Sequence, residues 1–137
     1  MQHYTFDSCA FISFFRNESG AEKVKNILME ASSFKCQVIM HNASLAELYY
    51  DSIYTSSKKD ADMLVQTIST YPIELIEKIE IDLIREIGYF KTTYKVSFAD
   101  CFVLATARLN NSTIVTSDHH EFNVIEERGD AFFEWIR

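Results

Sequence analysis

Short apolar runs alternate with longer amphipathic stretches along this chain, and the alternation predicts strands separated by helices. Residues 3–6 (HYTF), 37–40 (QVIM), 73–76 (IELI) and 113–116 (TIVT) read as short strands, with a closing strand over 131–136. Residues 19–32 place Val24, Ile27, Leu28 and Ala31 on one helical face. Helices are also expected over 9–15, 43–54, 57–70, 80–94 and 98–109. Continuously apolar strands joined through helices are the pattern of an α/β protein, a parallel β-sheet flanked by helices on both faces. Glycine occurs three times and proline once, and no linker, repeat or low-complexity tract interrupts the pattern. Residues 1–137 are therefore expected to form one domain.

Four acidic residues stand at the edges of these apolar segments: Asp7 in YTFDSCAF, Glu47 in ASLAELYY, Asp100 in SFADCFVL and Asp118 in TIVTSDHH. Asp7 and Asp118 follow directly on expected strands, at the strand ends where open α/β sheets form their ligand crevice. Glu47 and Asp100 are expected in the first turns of helices. Each acid has a purely structural alternative. SLAE and SFAD both fit a capping box, and Asp7 and Asp118 fit simple N-caps. Caps, however, need no particular strand, whereas here two acids end strands of one sheet and two begin adjoining helices. Carboxylates gathered in one place repel and raise each other's pKa unless a cation compensates them. Hard divalent cations, Mg²⁺ or Mn²⁺, take oxygen donors of this kind.

Neighbouring residues supply weaker candidates. The hydroxyls of Ser8, Thr116 and Ser117 are placed to hold an acid or a metal-bound water, and Glu121 to act as an outer ligand or to orient water. Asp51 is a spare carboxylate. His119 and His120 are expected on a loop, where either is placed to donate to a phosphate. Tyr50, if exposed, offers a ring for stacking on a base.

Composition narrows the field. A hydrophobic content of 47% with 11 Phe and 7 Tyr excludes disorder. No apolar run reaches membrane-spanning length and no signal-peptide pattern opens the chain, so a cytoplasmic protein with no membrane partner is expected. Three cysteines without C-x-x-C spacing suggest reduced, packed thiols. With so few glycines, neither a P-loop nor a dinucleotide-binding G-x-G-x-x-G exists. The net charge of −7 argues against an indiscriminate nucleic-acid coat protein but not against a nuclease whose metals offset its acids. Lys58, Lys59, Lys91, Lys95 and Arg108 are candidates for lining a substrate groove.

In order, spacing and strand-helix context, FDSCAFISFFRNESGAEKV, ASLAELYY, SFADCFVLATARLNNSTIVTSDHHEF and the closing FFEWIR resemble the PIN domain, and within it the VapC-type toxins of toxin–antitoxin pairs. The resemblance covers nearly the whole chain. It implies that Asp7, Glu47, Asp100 and Asp118 form the metal-binding catalytic set of an Mg²⁺- or Mn²⁺-dependent endoribonuclease. It further implies an RNA substrate cut to leave a 5′-phosphate, a homodimer, and inhibition by a cognate antitoxin protein. The inserted His119-His120 before Glu121-Phe122 departs from the shorter acidic spacing of many relatives. Two other classes share some features. A receiver-like signalling domain would need paired acids after the first strand and a late lysine, and here Asp7 is unpaired and no lysine follows Lys95. A non-catalytic interaction module would use the acids only as helix caps.

Overall fold

In the computed structural model, which describes residues 1–137, the first strand, β1 (Gln2–Phe6), becomes the centre of the sheet. Its side chains alternate between two faces, and both are closed. Phe6 enters one core, while Thr5 on the other face is 1% exposed and hydrogen-bonds Ser112. The chain winds outward through α1 (Ser8–Phe15), α2 (Ala21–Ser32), β2 (Cys36–His41), α3 (Asn42–Thr55), α4 (Lys58–Ile68) and β3 (Ile73–Ile76). It returns through α5 (Ile81–Thr93) and α6 (Phe98–Leu109) to β4 (Thr113–Thr116), then ends with α7 (His119–Arg128) and β5 (Phe133–Trp135). The strand order is β3-β2-β1-β4-β5, and every pairing is parallel. Winding therefore changes direction between β1 and β4. At such a switch point the connections leave the two neighbouring strand ends on opposite sides, which opens a crevice beyond their carboxyl ends.

Two cores sandwich the sheet, as the strand pattern predicts. Phe6, Val38, Met40 and Val115 face α1, α2 and α4, which contribute Phe11, Val24, Leu28, Leu64 and Ile68. On the other face, Ile114 meets Phe90 of α5, Val103 and Leu104 of α6, and Phe122 and Ile125 of α7. Full burial of one such side chain stabilises the fold by roughly 1.5–3 kcal/mol. The most enclosed helix is α6, in which every residue from Asp100 to Ala107 is buried. Ala107 lies in the core with Ile114 of the sheet, Ala105 packs on the helix's other side with Leu83 of α5, and Ser97 caps the helix start by accepting the Asp100 N–H at 3.1 Å.

Most expected elements form, with shifted ends. The helix expected over 19–32 starts at Ala21 because Gly20 takes φ +94°, outside helical space. That expected over 57–70 starts at Lys58, after the Ser57 cap, and stops at Ile68. The closing strand narrows to Phe133–Trp135. His119 and His120, expected on a loop, instead open a helix the sequence pattern does not predict, α7, with Phe122 and Ile125 on its buried face and Gly129 at φ +74° ending it.

A Cβ at Gly20 would lie 2.7 Å from the Ile136 carbonyl oxygen in a left-handed backbone conformation, whereas one at Gly88, inside α5, meets nothing within 4 Å. Gly20→Ala is expected to lower stability by roughly 1–3 kcal/mol. Gly88→Ala should raise it by about 0.5–1 kcal/mol. Urea denaturation of both variants reads these opposite signs.

Candidate functional site

Asp7 is the first residue beyond β1 and the N-cap of α1, and the residue is 4% exposed. Sheet pairing continues onto it, since its N–H donates to Val115 O at 3.2 Å. Three neutral donors hold the carboxylate. Ser8 N–H reaches Oδ1 at 2.8 Å, Thr116 Oγ1 reaches Oδ2 at 2.8 Å, and the Cys9 thiol lies 3.5 Å from Oδ2. Thr116, the last residue of β4, also accepts the Asp118 N–H at 3.1 Å. One hydroxyl thus ties the ends of the two central strands together. It grips the side chain of Asp7 but only the backbone of Asp118. The Asp118 side chain makes no capping bond to α7.

Glu47 reaches the crevice from α3. It is not in the first turn, as the sequence suggests, and Ser44 does not cap this helix. β2 runs into α3 without a loop, so the helix starts at Asn42 and the cap is His41, whose Nδ1 accepts the Ala43 N–H at 2.9 Å. Glu47 is free to reach across to α1, where its Oε1 accepts from Ser8 Oγ at 2.7 Å. Asp100 arrives from the opposite face, in the first turn of α6, and is 8% exposed.

The carboxyls act on one another. Burial raises the pKa of Asp7 most, with the Asp118 charge adding to it and the bonds from Thr116, Cys9 and Ser8 opposing it. Burial likewise raises Glu47, reinforced by Asp7, Asp51 and Asp118 and opposed by the Ser8 bond. Asp100 is pushed up to about 7, by burial first and then by Asp7, with smaller contributions from Asp118 and Glu47 and an opposing one from Ser97. The fold therefore brings these four acids from four segments into one electrostatic unit. The structure's ion pairs are Lys23–Glu134, Lys78–Glu80, Arg108–Glu86, Arg108–Asp130 and Arg137–Glu18, and none involves the four. Uncompensated oxygen donors of this kind fit a hard divalent cation. The carboxyls adjoin rather than close on one point, for no three His, Cys, Asp or Glu side chains form a ready metal-ligating group.

The other sequence candidates separate. Ser117 donates its N–H to Cys9 Sγ at 3.4 Å, which places it in the same web. Burial, followed by the Asp7 charge, pushes the Cys9 thiol up to about 12, so it remains protonated at neutral pH and is no nucleophile. His119 leaves the crevice: its ring stacks on Trp135 at 3.9 Å and its Nε2 meets Arg137 O at 2.7 Å. His120 and Glu121 line a hollow with Tyr94, Lys95 and Arg128. Arg108 is not at the crevice, because it sits at the far end of α6 and pairs with Glu86 and Asp130. Lys91 donates to Val96 O, and Lys58 and Lys59 line a separate hollow with Asp62. Tyr50 is 47% exposed and feels the charges of Glu47, Asp51 and Asp100. Its position three residues after Glu47 on one helix was the sequence signal for that proximity.

Because folding raises the Asp100 pKa to about 7, the unfolded chain releases this proton at lower pH than the folded one. This carboxyl therefore weakens the fold increasingly as pH rises from the ordinary carboxylate range to about 7, and fully above it. Without metal, Asp100→Asn should raise stability at pH 8 by on the order of a few kcal/mol, an advantage that shrinks towards pH 5. Thermal melts of both proteins at the two pH values in EDTA measure it.

Residues 4–127 match the family model described as PIN domain. No curated protein matches the chain by sequence. Among solved structures, VapBC2 from Rickettsia felis bound to a DNA fragment from its promoter superposes with a TM-score of 0.74 at 14% identity, covering 97% of this chain and 98% of that one. DNA-bound VapBC from Salmonella typhimurium gives 0.74 at 14% identity with both chains fully covered, 100% and 100%. Mycobacterium tuberculosis VapC20, described as a sarcin-ricin loop cleaving toxin, gives 0.68 at 13% identity over 88% of this chain and 94% of that one. At such identities the likeness to solved structures is one of fold. The family model, which spans most of the chain, carries the assignment: this protein belongs to the PIN domain family.

Proposed function

We propose that residues 1–137 form a single nuclease domain, a divalent-cation-dependent endoribonuclease of the VapC kind that hydrolyses RNA phosphodiesters. The observation that carries this reading is the set of four carboxylates at the switch-point crevice with no protein cation to balance them. Asp7, Asp100, Asp118 and Glu47 would hold the metal. When bound, Mg²⁺ or Mn²⁺ acts as a Lewis acid on the phosphate and lowers the pKa of water. Asp7 and Asp100 are the principal ligands, since their carboxyls are the most buried of the set. Glu47 and Asp118 complete the site or orient the attacking water. Thr116 and Ser8 fix Asp7 and Glu47 through the bonds already described, and Ser117 steadies the same web through Cys9. Glu121 is an outer group at most, since it is not among the principal charges that act on Asp7, Glu47 and Asp100. The product ends would be a 5′-phosphate and a 3′-hydroxyl.

The toxin role is supported by the complexes of similar fold, whose descriptions name VapBC and toxin–antitoxin pairs. On that reading the partners are an antitoxin protein and a second copy of this chain, and the protein acts in the cytoplasm. No helix is long and apolar enough to cross a membrane.

Purified protein incubated with total RNA should cut it in Mn²⁺ and not in EDTA, with 5′-phosphate ends found on mapping. Asp7→Asn and Asp100→Asn should each reduce cleavage by roughly a hundredfold or more while the circular dichroism spectrum is kept. Undiminished metal-dependent cleavage by both variants overturns the assignment. Calorimetry showing no specific Mn²⁺ uptake would favour the interaction module instead.

A further inference from the structure

The α1 and α3 helices enclose a cleft of about 220 Å³ that begins at Ser8, the residue bonded to Glu47, and leads away from the acids. Ser8, Ile12 and Arg16 recur at helical spacing along one wall, so Arg16 stands about 12 Å from Ser8 along α1. Asp51, Ser52 and Thr55 belong to the opposite wall. Thr55 Oγ1 donates to Asp51 O at 2.9 Å, so its lone pair is left to accept from Arg16 Nη2 at 3.0 Å. Arg16 is thereby held across the cleft by a neutral hydroxyl. It forms no ion pair, and most of its five donors remain free. Asp51 shares the lining but lies outside ion-pair distance of the guanidinium. Ser52, 1% exposed, lines the same cleft with its Oγ unpartnered.

We infer that this cleft is a phosphate subsite, in which Arg16, with Ser52, binds a backbone phosphate of the RNA strand flanking the scissile bond. The inference rests on the nuclease reading for its choice of ligand. An anchored, uncompensated guanidinium suits a phosphate or a carboxylate equally. RNA is favoured because the cleft starts at Ser8, whose hydroxyl is bonded to Glu47, and at Cys9, whose thiol lies against Asp7. It is also favoured because Tyr50 and Tyr54, 47% and 83% exposed with ring centroids 6.3 Å apart, offer π-faces for bases beside Glu47 on the same helix. Thr55 is a positioning residue that aims the guanidinium without meeting the strand.

The test is fluorescence anisotropy of a short fluorescein-labelled oligouridylate in EDTA across a salt series, using wild type, Arg16→Ala, Arg16→Lys and Thr55→Val. Arg16→Ala should bind roughly tenfold more weakly. Its plot of log K against log salt should be flatter by about 0.7, the loss of one single-strand phosphate contact. Arg16→Lys and Thr55→Val keep the charge, so both should retain the wild-type slope while losing affinity. Equal affinity and slope for Arg16→Ala, or no binding by the wild type, overturns the proposal. So does Arg16-dependent binding of a labelled oligoglutamate peptide beside Arg16-independent RNA binding, which would assign the cleft to an acidic protein segment. The two readings fail separately: Arg16-dependent RNA binding without Mn²⁺-dependent cleavage sinks only the nuclease, and cleavage with Arg16-independent binding sinks only the subsite.

Discussion

Removing carboxylates from water beside one another is costly, and the region around the β1–β4 crevice is organised by that cost. Asp7 is almost fully enclosed, yet each group that holds it is neutral: a backbone N–H, a hydroxyl and a thiol. Glu47 is held the same way, by the Ser8 hydroxyl. Neutral donors orient a carboxylate without cancelling its charge, whereas a lysine or arginine in their place would have satisfied the site and closed it. The bonds also connect elements distant in sequence. Thr116 ties β4 to the end of β1, and Ser8 ties α1 to α3. The web that orients the acids therefore also fixes the walls of the crevice.

Rigidity on the second face comes from α6. A helix buried from Asp100 to Ala107 has almost no freedom to slide, and Asp100 rides on its first turn just inside the Ser97 cap. α1 and α6 pack on opposite faces of the sheet, in separate cores, so Asp7 at the cap of α1 and Asp100 approach the end of the sheet from opposite sides. Side chains carried on strand ends and a buried helix hold their positions better than side chains on loops.

The strands and most helices were legible because their apolar periods are strong. QVIM and TIVT have no good alternative to buried strands, and 19–32 has a clean helical face. α7 was hidden because only Phe122 and Ile125 mark its inner face. Its stop signals, Arg128 and Gly129, are present in the sequence. The position of Glu47 in its helix was misread because SLAE imitates a capping box, while the true cap is a histidine, a residue outside the usual N-cap set. Arg108 was misplaced for another reason. It shares a helix with Asp100, but eight residues at helical rise carry it about 12 Å away, and nothing in the local sequence says which end faces the crevice. Asp7 and Asp118 were legible because strand ends fix location, while the part of Cys9 in bridging Asp7 and Ser117 required coordinates.

On the nuclease reading, this chain meets a local problem that its net charge of −7 makes worse. Several basic side chains are already committed. Arg108 and Arg137 are paired with carboxylates, Arg128 lies over the Tyr94 ring, and Lys91 binds a carbonyl. Arg16, held by the Thr55 hydroxyl, is in no ion pair. A phosphate approaching the bare acids would meet repulsion from several carboxylates in a poorly hydrated site, where such interactions are strongest. On the nuclease reading, the cation and the scissile phosphate are therefore coupled: whatever neutralises the carboxylates also removes the barrier to that phosphate, and by linkage its binding tightens the hold on the cation. A flanking phosphate at Arg16, about a Debye length from Ser8, needs no cation. The same acidity repels nucleic acid from the remaining surface. Productive encounters would then be confined to the one place where the charge is compensated.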